Sequence, residues 1–412
     1  MKPLTFEKRR LEEALSSITN EDLFALQCLK RVGLPNKKNE EYRYFDIVSL
    51  LQRPWTRFIA NKETITQSEH LVITDGVITA MPRFAGVTIA YAQDIVPDAN
   101  HFDPLYYMGH LLNPEIISIR CDKNVALHIE HRFTKKERLL SYRTALFVQE
   151  NVDVTVTETF FALEAEGSFV LSGSDIFLAR NASLELVKSQ TLHENGYVSL
   201  FSHCYNLEED ASLTLRTFDF GDGSGLQLFQ ANLQKDANIN AEHLLFAKGE
   251  HTQRGTVSKI MHVGASTGST QKAKTILQDH ARGIFDALIK IEPTGKQTVA
   301  HQNSQAILLN DGAYMVSKPQ LEIYIDDVEA SHGSTIGELD EAQLFYLQSR
   351  GIAHQEAKKM LIMAFANEMI DAVVDTTMRE EIHVAFERAY YGATILECID
   401  TCENCAHTVL KE

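Results

Sequence analysis

Four soft metal ligands lie within ten residues near the end of the chain: Cys398, Cys402, Cys405 and His407. Thiolate and imidazole at these short spacings suit a zinc site or an edge of an iron–sulfur cluster. The competing reading is a cysteine-rich tail with reactive thiols and no metal. A C-x3-C-x2-C triplet also serves radical-forming barrel enzymes, but nothing else in the sequence supports a barrel. A second candidate is His332, in Ser331-His332-Gly333, with Asp326, Asp327 and Glu329 just upstream. Imidazole is a good iron ligand, and neighbouring carboxylates favour a cation. A single histidine in a turn is more commonly structural.

Other chemistries lack their residues. Gly264 to Gly268 and Gly221 to Gly225 are glycine-rich, yet neither carries the Gly-Lys-Ser/Thr ending of a phosphate-binding loop. Both read as turns. No nucleophile elbow, zinc-protease motif or dinucleotide fingerprint occurs, so no catalysis by the chain itself is expected. His203, Cys204 and His243 read as ordinary strand side chains, and Arg254, Lys259, Lys272 and Lys274 as a solvated basic face. Cys28, Cys121 and Cys204 are isolated, too sparse for a secreted disulfide framework.

Charge narrows the partners. The 412 residues carry a formal net charge of -17, which disfavours nucleic acid, because phosphate binding needs clustered Lys and Arg. No stretch approaches the length of a membrane span. Met1 to Glu13 contain no apolar core of signal-peptide length. Cytoplasmic residence is expected.

The elements that must position these groups fall into three stretches. Residues 1–69 read as a helical region. Phe6 to Ile18 is amphipathic, and Asn20 can cap a helix from Glu21 to Val32, with Gly33 as its C′ residue and Pro35 beyond. Residues 70–337 alternate apolar and polar positions, punctuated by turn formers. An internal repeat is legible there. Asn124 to Ile129, Asn151 to Val156, Asn181 to Leu186, Asp210 to Leu215 and Asp236 to Ala241 each begin with Asn or Asp, and each is apolar at its second, fourth and sixth positions. A two-residue period headed by a turn former means a strand with one buried face. Recurrence near 28 residues means that such strands stack rung upon rung, as in a β-helix. A β-sandwich of irregular hairpins is the alternative. The predicted fold is mainly β: a β-helix core with helical regions at both ends.

Residues 338–412 return to helix, ending in the cysteine-rich tail. Asp340 and Gln343 form a capping box for a helix through Arg350, stopped by Gly351. A second helix spans about His354 to Val374, with Ala357, Met360, Leu361, Ala364 and Phe365 as its stripe. A third runs from about Met378 to Tyr391, with Ile382, Ala385, Phe386 and Ala389 at helical spacing. Part of this apolar surface is expected to serve a partner, through Phe345, Tyr346, Arg350, Met360 and Phe365.

The segment from Lys318 to Ile352, containing Ser331-His332-Gly333, resembles the signature of the SufB/SufD family. Arg282-Gly283-Ile284, Gln302-Asn303, Leu308-Leu309 and, near the start, Lys38 to Tyr44 also match. The likeness spans nearly the whole chain and is strongest after residue 280. Ser331-His332-Gly333 is similar to D-type members rather than the cysteine-bearing B type. The resemblance implies a scaffold subunit in iron–sulfur cluster assembly. Such a subunit would pair with SufB through the β-helix edge, dock the ATPase SufC through the C-terminal helices, and form a homodimer in isolation. A final solenoid strand would lead through a His-Gly turn into the helical tail. The resemblance also implies a cluster held transiently in the complex with His332 as a candidate ligand, no cofactor held tightly by this chain alone, and a reduced flavin in association with the complex. One departure is Ala330, where many relatives carry cysteine. Two rival functions remain: a metal- or cluster-carrying redox protein using the tail cysteines, and a β-helix enzyme acting on polysaccharide.

Overall fold

In the computed structural model, residues 23–62, 64–190, 196–221 and 223–392 are described. Helix Phe6 to Ile18 and the tail ligands Cys398, Cys402, Cys405 and His407 lie outside them. The body is a parallel β-solenoid of about seven turns, built as two facing sheets of 11 and 12 strands. The five repeat copies all fall in the 11-stranded sheet, as strands Val125–Phe133, Asp153–Ala162, Ser183–Gln190, Ser212–Gly221 and Asn238–Ala247. Three more follow: Gly268–Leu277, Thr298–Leu308 and Val328–Gly337. The opposite sheet ends with Gln253–His262, Arg282–Ile291 and Tyr314–Ile323.

The repeat copies stack in the predicted register, with one correction. Val154 pairs with Leu184, Leu184 with Leu213, and Leu213 with Ile239. Val154 meets Val125, however, so the first copy is slipped by two residues. The head residues explain both facts. Asn151, Asn181, Asp210 and Asp236 all adopt φ between 55° and 61°, a left-handed corner that Asn and Asp tolerate best among residues with a Cβ. Asn124 is absent from that set, so it marks no corner. Of the fifteen apolar repeat positions, Val125 alone is only half-buried; the others lie in the lumen core.

Both outer faces are covered by helices. Helix α1 (Leu23–Val32) ends as predicted, with Gly33 at φ 83°. It packs with α2 (Ile47–Gln52) and α3 (Pro104–Leu112) on the 12-stranded sheet, around Trp55, Tyr106, Leu200 and Leu228. The sequence reading missed α3, which lies inside the stretch expected to be solenoid. Asp103 caps it through the Leu105 N–H, and Pro104 opens its first turn. Almost all of α3 is buried, so it lacks the amphipathic stripe that would have announced it.

A buried ionic hub anchors α3. The Asp175 carboxylate accepts from Arg143 Nη2 at 3.0 Å, lies 3.2 Å from His110 Nε2, and accepts from the Tyr106 hydroxyl at 2.6 Å. Arg143 also donates to the Ser202 carbonyl at 3.2 Å and lies over the Tyr106 ring. Burial alone would raise the Asp175 pKa. Arg143 and His110 outweigh it and hold the carboxyl well below the ordinary carboxylate range.

On the 11-stranded sheet, α4 (Glu341–Ser349), α5 (His354–Ile370) and α6 (Thr376–Tyr391) follow the last strand. Asp340 caps α4 through the Ala342 and Gln343 N–H groups, as expected. The buried stripe of α5 includes Ala357 as predicted but otherwise differs from prediction. Ile362, Ala366, Met369 and Ile370 meet Phe218, Phe220, Leu244 and Phe246, whereas Met360 and Ala364 face solvent and Leu361 and Phe365 are half-buried. The two candidate stripes lie side by side on the helix, and the one turned to the aromatic patch of the sheet is the one buried. Ile382, Phe386 and Ala389 of α6 are buried as expected. No helix among the described residues is long and apolar enough to cross a membrane.

The predicted basic face dissolves at two of its four positions. Arg254 is buried against Asp219 and donates to the Gly223 carbonyl at 2.6 Å. Lys274 is buried beneath α5, where its Nζ reaches the Phe365 carbonyl at 2.9 Å and Glu368 at 2.5 Å. Lys248 likewise donates to the Ala389 carbonyl at 2.8 Å, near the negative end of α6. Both lysines fasten the helical pair to the solenoid.

Candidate functional site

His332 lies at the solenoid's open end. The expected His-Gly turn is a strand instead: His332 and Gly333 sit in the middle of Val328–Gly337, paired with Gln302 and Asn303. Gly333 fits there because strand backbone is open to glycine, and the chain leaves the strand only after Gly337. Val328–Gly337 pairs on one side only and is the edge of the 11-stranded sheet, as Tyr314–Ile323 is of the other. Pro319 in the latter is tolerated because an edge strand can spare an N–H.

Strand alternation puts Val328 and Ala330 against the lumen core, and therefore His332 on the same inner face. There its Nδ1 lies 3.0 Å from the Pro319 carbonyl. A carbonyl can only accept, so the neutral ring in this contact carries its proton on Nδ1 and its lone pair on Nε2. A backbone carbonyl fixing the far nitrogen is how proteins orient a histidine ligand. His332 is exposed, and its metal-capable nitrogen remains uncommitted to this carbonyl. Ser334 Oγ bonds Ser317 Oγ at 2.8 Å across the same gap. Among the described residues, no group of three or more His, Cys, Asp or Glu side chains is placed to hold a metal ion. A full ligand sphere at His332 would therefore need donors beyond them.

The acids expected around His332 are spread out. Glu329 points to the outer face, 4.0 Å from His301 Nε2, while His301 Nδ1 meets Ser331 Oγ at 2.7 Å. Asp326 and Asp327 lie in the bend before the strand, where the Asp327 carbonyl accepts from the Gln297 N–H at 2.6 Å. The open end also exposes apolar surface that the sequence reading did not single out: Tyr314, Ile323, Tyr324 and Ile336. Only the strand order, invisible in one sequence, shows that these residues share an edge. His203 and His243 are strand residues as read, both buried, and burial lowers the pKa of each, that of His243 to about 4.

The candidate partner helix is α4. It buries none of its residues; Phe345 is 72 % and Tyr346 57 % exposed. Arg350 lies over the Tyr346 ring and donates to its hydroxyl at 3.2 Å. Met360 is exposed on α5, but the half-buried Phe365 faces Lys274, whose ammonium lies 4.3 Å from its ring centre. Phe345, Tyr346 and Arg350 thus share one exposed helix end, and Phe365 belongs to the contact with the solenoid.

The described residues define a class by architecture: a parallel β-solenoid with helices on both outer faces, open at its last rung beside an exposed histidine. The sequence pattern described as "SUF system FeS cluster assembly, SufBD core domain" matches residues 131–365, and the chain belongs to this SufBD family. It is 28% identical over 381 residues to the iron-sulfur cluster assembly protein SufD of Escherichia coli (strain K12), covering 87% of this chain and 89% of that protein. It is 22% identical over 418 residues to protein ABCI7, chloroplastic, of Arabidopsis thaliana, covering 90% and 87%. With SufD of Bacillus subtilis (strain 168) it shares 29% identity over 168 residues, 40% of this chain and 38% of that one.

Proposed function

We propose that the chain is a non-catalytic scaffold subunit of iron–sulfur cluster assembly, pairing edge to edge with a SufB-type solenoid and receiving the ATPase SufC on α4. The observation that carries this reading is His332, exposed on the open last rung with Nδ1 committed to the Pro319 carbonyl and Nε2 available. Iron and sulfide are here cargo. His332 contributes one imidazole, and a second chain contributes the thiolate or carboxylate donors that complete the sphere. Unpaired strand edges flanked by Tyr314, Tyr324 and Ile336 suit association that continues both sheets into the partner. The same edges suit a homodimer when the partner is absent.

The exposed aromatic end of α4 suits protein docking, because buried aromatics and arginine dominate interface energetics. Force applied there reaches the solenoid through α5 and α6, which Lys274, Lys248 and the apolar patch fasten down. Co-expression with SufB and SufC tests the assignment. The chain is expected to co-elute with both, Phe345→Ala/Tyr346→Ala to lose SufC while keeping SufB, and His332→Ala to keep both while losing reconstituted cluster. Failure to co-elute with either partner, or an undiminished cluster yield in His332→Ala, refutes the corresponding part.

A further inference from the structure

The contact between His332 and Pro319 is the last of three, stacked in register. In the 11-stranded sheet, Gln271 pairs with Gln302 and Gln302 with His332. In the facing sheet, Ser258 pairs with Ala287 and Ala287 with Pro319. The two columns face each other across the lumen, and each rung is bridged at the same place. Gln271 Nε2 donates to Ser258 Oγ at 2.8 Å. In the amide orientation that satisfies both of its ends, Gln302 donates to the Ala287 carbonyl at 3.3 Å and accepts from the Ile289 N–H at 3.2 Å. His332 then meets the Pro319 carbonyl. Earlier in the same column stand Leu186, Leu215 and Ala241, so the crossbars begin three rungs from the open end.

We infer that Gln302, supported by Gln271, is a positioning residue for His332. A strand at a sheet edge has a neighbour on one side only, and its distance from the facing strand is set by the rung beneath. Gln302 is long enough to span part of the roughly 10 Å between packed sheets, and at 3 % exposure it is sealed in the lumen. By tying its strand to Arg282–Ile291, it fixes the gap between Val328–Gly337 and Tyr314–Ile323. That gap decides whether His332 Nδ1 reaches the Pro319 carbonyl, and so which ring nitrogen is left for a ligand. The use of this device rests on the ligand role proposed for His332; the geometric inference does not.

The test reads the imidazole directly in the isolated full chain, by nitrogen-15 NMR with histidine ring labelling. The His332 signals are assigned by their loss in His332→Gln. The wild type is expected to show one protonated and one unprotonated ring nitrogen. Gln302→Met keeps the volume and removes the crossbar; both His332 nitrogens should then move toward the tautomer-averaged shift. Gln302→Thr, polar but too short to span the gap, should act the same way and serves if the first variant fails to fold. Ser304→Ala removes a hydroxyl that is equally buried on the same inner face and has no protein partner, and should leave the His332 signals in place. Unchanged His332 signals in both Gln302 variants overturn the inference, even where the melting temperature falls. Shifted signals with an unchanged cluster yield in the complex uphold it and remove instead the ligand role.

Discussion

Replacing Arg143 by methionine probes how the α3 side of the molecule is held. Arg143 and Asp175 are each about 1 % exposed. Asp175 holds three partners at hydrogen-bond distance, Arg143, His110 and Tyr106, and only Arg143 carries a permanent charge. Arg143→Met leaves a carboxylate in a site with almost no solvent, and breaking a buried pair from one side costs about 3–5 kcal/mol. Asp175→Asn strands the guanidinium and costs a similar amount. The double variant leaves no uncompensated charge. Its cost should fall short of the sum by about 5–7 kcal/mol, a larger coupling than most neighbouring pairs show. What remains is the penalty for a buried Tyr106 hydroxyl with a weaker acceptor, about 1–3 kcal/mol. Because Asp175 is held below its ordinary pKa, its stabilisation is present above about pH 4 and lost as pH falls further. Wild type and Arg143→Met should therefore converge in acid. The assay is denaturant unfolding at pH 7 and pH 3, with hydrogen exchange of residues 104–112 to localise the loss. Strict additivity of the two single variants, or a gap between wild type and Arg143→Met as wide at pH 3 as at pH 7, would falsify the electrostatic account.

Three further outcomes follow from the packing. Leu213→Ala, in the middle of the lumen column, should cost about 3–5 kcal/mol in denaturant titration, whereas Val125→Ala, half-buried at the slipped first copy, should cost about 1 kcal/mol. Glu41 is raised to about 7, first by burial and then by Asp103; its charged form therefore destabilises the fold, and wild-type stability should decline as pH rises from about 5 to 7. Glu41→Gln should abolish that slope and gain about 1–2 kcal/mol at pH 8, the full shift being discounted for partial solvent screening, as read from melting temperatures across pH 5–8. Lys274→Met keeps the stem packing but drops the bonds to Phe365 and Glu368, so faster amide exchange is expected across 354–391 with the solenoid strands unchanged; uniform exchange in both would refute its role as a fastener.

The solenoid was legible because one physical demand repeats. Each rung needs a corner with positive φ, a task for Asn or Asp, followed by alternating apolar positions, so Asn181 and Asp210 announced the turn and Leu184 and Leu213 the lumen. The slip at Asn124 shows the limit of that signal, since composition cannot separate a corner residue from one two positions further on. Helix α3 was hidden because it is buried all round, and Asp103-Pro104 was its only local mark. The hub was hidden for another reason. Arg143 and Asp175 stand 32 positions apart, and only strands folded into one sheet bring them together.

The setting of His332 was misread. A glycine after His332 suggests a turn, yet the three rungs from Gln271 to His332 form one column, so the strand runs straight through it. This difference matters chemically. On a turn, the imidazole would choose its tautomer in solvent. On an edge strand facing Pro319, the backbone chooses, and Nε2 is the nitrogen left over. Under the proposed function, the same open edge that makes a solenoid prone to association would bring a partner's donors up to an imidazole already oriented for them, whereas a closed globule of identical composition would have no such edge. Ala330 offers no donor beside His332 on the inner face of that strand, so under the proposed function further soft ligands would come from across the edge.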